Sequence, residues 1–203
     1  MSDAEKSAEL GDQIPGTGRI EAFSDGVIAI IITIMVLELK IPDLHNHGDV
    51  LKEVVWPIVP KLIAYALSFL IVAIYWVNHH ALMQTAHKAT TRLLWSNNLL
   101  LFWLSLMPLA TAYLGEHTVE FSAIALYGCI GIACALAFSL LRLVLAADAT
   151  ESAQAAFHCD AAKRSAWFSL VLVIGVTLGY FWPWVALVSF VIPPVAYFLP
   201  KRQ

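Results

Sequence analysis

Six apolar stretches, each close to the length that crosses a bilayer, leave this chain few ways to fold. They run from about Ile20 to Leu39, Val54 to Asn78, Thr91 to Leu114, Val119 to Ala147, Ser165 to Phe181 and Trp184 to Leu199. In hydrocarbon no water satisfies backbone N–H and C=O groups, so such a segment must close its hydrogen bonds on itself as a helix. Only 13% of residues are charged, against about 25% in an ordinary soluble domain, and 60% are hydrophobic. The 203 residues hold six or seven spans and little else. The fold class is therefore all-α: an integral membrane bundle of six transmembrane helices.

Lys and Arg set the orientation. With the N-terminus cytoplasmic, nine fall on the cytoplasmic side, among them Arg19, Lys88, Arg142 and Lys163, and only Lys40, Lys52 and Lys61 lie opposite. Both termini are then cytoplasmic, which requires an even number of spans and favours six over seven. Residues 1–18 read as a disordered cytoplasmic segment, 19–200 as one multi-pass domain of the plasma membrane, and 201–203 as a tail. The first 18 residues include Pro15, Gly16 and Gly18 and no apolar h-region, so the first helix is expected to be retained as its own membrane signal. A net charge of -3 and the lack of a long basic run exclude a nucleic-acid partner. Cys129, Cys134 and Cys159 show no CxxC spacing and read as reduced, structural thiols.

The first helix carries the chemistry. Arg19, Glu21 and the run Phe23-Ser24-Asp25 head an apolar helix that holds a single threonine, Thr33. Ionisable groups at membrane depth are costly and mark function by default. At 100° per residue, Ile30, Ile34 and Leu37 fall within about 60° of one another, with Thr33 at the border. Asp25 points about 140° away from Ile30, back toward its own bundle. Partners on the same side are Arg19, His79 and His80, Asn97 and Asn98. A polar knot would fasten the helix to its bundle; the plainer reading makes Ser24 or Asp25 an interfacial N-cap. Thr33 in turn has the ordinary option of bonding the carbonyl four residues back.

Other polar groups weigh less. The seven histidines raise an intramembrane metal hydrolase, but the chain has no HExxH and Asp25 is the one carboxylate clearly near helix depth on that side. No metal, cofactor or catalytic residue is expected. His45 and His47, with Asp43 and Asp49, read as a polar outer loop, and His87 beside Lys88 as a solvated one. Glu38 lies about 80° from Ile30 and suits either a pore mouth or a helix contact. Gly175 and Gly179 form a GxxxG for close helix packing. The Ala-rich loop from about Ala147 to Lys163, with Asp148, Glu151 and Asp160, reads as a solvated helical extension. The chain has no TVGYG-like loop, so a carbonyl filter is absent, and one polar-headed helix is too few walls for a pore; symmetric copies around an axis would supply the rest. A proton- or ion-coupled transporter using Asp25 and His79 or His80 is the alternative, weakened by the lack of an internal repeat.

These residues resemble the short prokaryotic form of the transmembrane protein 175 family of cation channels. The likeness lies in Arg19 followed by Phe23-Ser24-Asp25-Gly26, extending through Leu39. It continues in Tyr75-Trp76-Val77-Asn78-His79-His80, in Trp95-Ser96-Asn97-Asn98 and in Pro108. The resemblance implies a potassium-permeable homotetramer in the lipid bilayer, with other monovalent cations as further permeants. It implies a hydrophobic gate at Ile30, Ile34 and Leu37, and a selectivity layer at Thr33. Arg19, Phe23, Ser24 and Asp25 would tie each pore helix to Trp76, to His79 or His80, and to Asn97 or Asn98.

Overall fold

Each apolar segment becomes a helix whose ends are set by its own breakers. The computed structural model describes residues 16–40, 50–86, 88–149 and 152–198, and among the described residues every regular element is helical. They are α1 (Gly18–Leu37), α2 (Trp56–Met83), α3 (Thr91–Ser105), α4 (Met107–Glu116), α5 (Phe121–Asp148), α6 (Ser152–Gly179) and α7 (Pro183–Phe198). A π-helical turn, Leu51–Val55, leads into α2. α3 and α4 are two halves of one pass, so there are six passes. Five are long and apolar enough to cross a membrane. The sixth, α7, has 16 residues and spans about 24 Å at 1.5 Å per residue. The expected N-terminal segment is described only from residue 16. The tail 201–203, His45, His47, Asp43, Asp49 and His87 lie outside the described residues.

Prolines explain the irregular places. Pro57 has no N–H to donate, and just before it the ladder widens so that the Trp56 N–H reaches the Leu51 carbonyl. In the third apolar stretch the helix breaks two residues before Pro108. Leu106 (φ -88°, ψ -8°) ends α3, and Pro108 sits in the first turn of α4, where a missing N–H costs nothing. At the other end of α3, Thr90 caps the helix by accepting from the Leu93 N–H at 3.2 Å.

Two boundaries differ from the sequence reading. α2 continues to Met83, so His79 and His80 lie within a helix rather than at its end. α6 begins at Ser152, and the Ala-rich stretch is its first turns, with Ala161 and Ala162 packed inward.

α5 is the hub, packing against α3, α4, α6 and α7, while α1 lies over α2, α3 and α4. Glycines bring the later helices together. A Cβ on Gly128 of α5 would run into Val176 of α6, and Cβ atoms on Gly175 and Gly179 would run into Ser189 and Ala186 of α7. The GxxxG therefore seats α7 on α6. At the Glu116 end of α4, Lys61 of α2 pairs with Glu116 at 2.9 Å.

Candidate functional site

α1 has two faces of opposite character. Ile20, Ser24, Ile28, Ile31 and Met35 recur every three or four residues and are buried against α2, α3 and α4. The other face is apolar yet uncovered: Ile30 is 57% exposed, Ile34 42% and Leu37 72%.

The buried face is held by a directional hydrogen-bond relay across three helices. His79 of α2 is fully buried, and its Nε2 lies 2.7 Å from Asn97 Oδ1 on α3. An amide oxygen only accepts, so Nε2 carries the proton and the imidazole is read as the Nε2–H form. The Asn97 Nδ2 donates to Ser24 Oγ at 2.9 Å, and Ser24 donates to the Ile20 carbonyl at 2.8 Å. Every donor points the same way, so each bond polarises the next. His79 Nδ1 is buried with no partner among the described residues.

A second layer closes the rim between α1 and α2. The Trp76 Nε1–H donates to Asp25 Oδ1 at 2.9 Å. One turn on along each helix, His80 Nδ1 lies 2.8 Å from Glu21 Oε1, and the Trp76 and His80 rings stack at 6.1 Å. The two helices are antiparallel, so an i,i+4 pair on α1 meets an i,i+4 pair on α2. Glu21 was missed as a partner, although its four-residue spacing to Asp25 matches that of Trp76 to His80.

The structure thus sorts the predicted residues. Ser24, more than Asp25, is the innermost group, and Asp25 sits half-buried at the rim. Neither is an N-cap: α1 starts at Gly18, and Ser24 is nearly two turns inside. His79 and Asn97 join the relay, His80 joins the rim, and Asn98 is exposed. The Arg19 backbone N–H donates to the Gly16 carbonyl at 3.3 Å, while its side chain is exposed and makes no hydrogen bond or ion pair among the described residues. Phe23 is 58% exposed on the uncovered side. Thr33 is also exposed there and donates within its own helix, 3.0 Å from both the Ala29 and Ile30 carbonyls.

A further buried knot was not foreseen. Ser68 of α2 lies 2.7 Å from Thr111 of α4 and 2.9 Å from the Tyr127 hydroxyl of α5. Beside the uncovered stripe runs a groove of about 460 Å³ lined by Ile30, Ile34, Glu38, Ser105 and Pro108. It opens where the break at Leu106 parts α3 from α4. Among the described residues no group of three His, Cys, Asp or Glu is placed to hold a metal ion.

The comparisons with known proteins agree on one family. A family model described as "Endosomal/lysosomal potassium channel TMEM175" matches residues 19–108. A potassium channel of Chryseobacterium sp. (strain P1-3) is 39% identical over 189 residues, covering 92% of this chain and 94% of that protein. A potassium channel of Streptomyces collinus is 38% identical over 131 residues, 62% of each chain. Among solved structures, the crystal structure of a lysosomal potassium-selective channel TMEM175 homologue from Chamaesiphon minutus superposes with a TM-score of 0.76. The identity is 29%, over 89% of this chain and 95% of that one. This chain belongs to the TMEM175 family of channels, which is not a family of enzymes.

Proposed function

We propose that this protein is a potassium-permeable channel of the plasma membrane in which four copies place their α1 helices around one axis. Ile30, Ile34 and Leu37 form the constriction, Thr33 adds a hydroxyl layer, and no TVGYG-type carbonyl filter takes part. Other monovalent cations pass less readily.

One observation carries this reading. α1 is pinned to its own subunit on one face by the His79–Asn97–Ser24 relay, while its Ile30–Leu37 face is left bare. A fixed helix with an uncovered apolar stripe suits a wall shared between copies. Rings of such side chains gate by expelling water, and hydroxyl rings with pore width bias the choice of ion. The potassium channels among its relatives support the choice of ion.

The test is potassium flux into liposomes holding the purified protein. The native chain should conduct potassium, and Ile30→Asn, which wets the constriction, should raise resting flux severalfold. Absence of flux from well-folded native protein across voltage and pH would sink the channel. Slow, saturable flux that depends on Asp25 or His79 would point to a coupled transporter instead.

A further inference from the structure

A cleft of about 700 Å³ lies between α2, α5, α6 and α7. That is the size of a small-molecule site, which runs from about 300 to 1,000 Å³. α1 contributes nothing to its walls, so it stands apart from the proposed conduction path. One row of α5 forms its floor: Tyr127, Gly131, Cys134, Phe138 and Arg142. These recur every three or four residues and extend about 22 Å at 1.5 Å per residue.

The two ends of the cleft differ. Its deep end is walled by Leu172, Phe190 and Met107, and its other end by Arg142, Asn78 and Tyr197. Those three lie toward the C-terminal ends of α5, α2 and α7, the side of the bundle where α1 begins and where the Lys and Arg excess falls. The Arg142 guanidinium sits 4.7 Å from the centre of the Phe138 ring, and both residues line the cleft. Basic pockets between helices on the cytoplasmic side suit acidic lipid headgroups, and a guanidinium matches phosphate with two parallel N–H bonds.

Gly131 adds an independent observation. A Cβ there would meet only Leu172 Cδ1 at 3.9 Å, an ordinary contact, whereas one at Gly128 a turn away would collide with Val176. Gly128 is small because a helix presses on it. Glycine weakens a helix interior, and at Gly131 what its smallness supplies is room in the cleft.

We propose that this cleft binds an anionic phospholipid of the cytoplasmic leaflet, with an acyl chain along the Gly131 row and the phosphate on Arg142.

The experiment uses the purified full chain in non-ionic detergent, with dioleoyl phosphatidylglycerol, dioleoyl phosphatidylcholine or oleate added. Retained lipid is read by native mass spectrometry and stabilisation by melting temperature. Phosphatidylglycerol should bind in preference to phosphatidylcholine and raise the melting temperature. Gly131→Leu should fill the cleft and lose both effects, while Gly131→Ala keeps them. Arg142→Gln, which leaves the cleft open, should cut the preference for phosphatidylglycerol by about fivefold, the worth of one basic residue near an anionic surface. If Gly131→Leu does not fold, Arg142→Gln carries the test alone. Unchanged lipid preference in Arg142→Gln, or unchanged binding in a folded Gly131→Leu, overturns the proposal. Tighter binding of oleate than of phosphatidylglycerol overturns the phospholipid assignment in favour of a free fatty acid.

Discussion

At Asn97 a single amide serves two helices at once, accepting from His79 on α2 and donating to Ser24 on α1. Interhelical hydrogen bonds in membranes average only about 0.6 kcal/mol, because the separated helices find other partners. Asn97→Leu does more than remove a bond, since it leaves the buried His79 Nε2–H with no acceptor. An orphaned buried polar group costs about 1–3 kcal/mol, so we expect Asn97→Leu to lower stability by roughly 2 kcal/mol. Asn98→Leu, on the exposed side, should change it by less than about 0.5 kcal/mol. Thermal unfolding of the two variants in detergent makes the comparison. At the rim, Asp25→Ala removes the acceptor of the Trp76 N–H and should impair folding or tetramer yield more than ion preference. Size-exclusion profiles and reversal potentials separate these outcomes, and a stable tetramer with altered selectivity would contradict the anchoring role. Which histidine and which asparagine take part was not legible from sequence. Adjacent helical residues point 100° apart, so the choice rests on the rotation of α2 and α3 about their own axes, which only packing against neighbours decides.

α1 and α6 show how far a helix can be read alone. On α1 the Ile30, Ile34 and Leu37 stripe followed from the helical period, and so did the placing of Asp25 away from it. The centre of the buried face did not follow: both faces are rich in isoleucine, so hydrophobicity does not tell the face against protein from the face left bare. On α6 the GxxxG was plain in the sequence, yet only the structure names α7 as its partner. Gly175→Leu would drive a side chain into Ser189, and overpacking of this kind costs about 1–3 kcal/mol. We expect a loss of monodisperse protein and a clearly lower melting temperature for Gly175→Leu, and neither for Gly131→Ala. Pro108 lies inside the third apolar stretch, and its place in the first turn of α4 was not legible from the sequence. A proline is tolerated there just as it disrupts a helix interior, and the turn at Leu106 selects between the two.

For the whole molecule, the bare stripe on α1 sets the proposed assembly. In a tetramer around α1, Leu37 of neighbouring copies would face one another, whereas Met35 is buried within its own subunit. On a cysteine-free background, Leu37→Cys should therefore form oxidant-induced dimers between copies, and Met35→Cys should not. Light scattering of the native protein should return the mass of four chains. Crosslinking that is equal at both positions would rule out this arrangement. α5, with buried residues from Ala123 to Leu145, and the Ser68–Thr111–Tyr127 knot hold the remaining helices as a body on which α1 is mounted.

Six passes, their approximate limits and the apolar stripe of α1 were determined by the sequence itself, because backbone hydrogen bonding in hydrocarbon and the 3.6-residue period depend on local order alone. Membership of the family was legible too, since Arg19 and the Phe23-Ser24-Asp25 run stand together at the head of one helix. The tertiary structure decided that Ser24 is the innermost group, that His79 pairs with Asn97, that Glu21 answers His80, and that a cleft opens beside Gly131. Each of these is a meeting between helices far apart in the chain. Their rotation and depth are set by how side chains from several helices fill one volume, and no single segment contains that information.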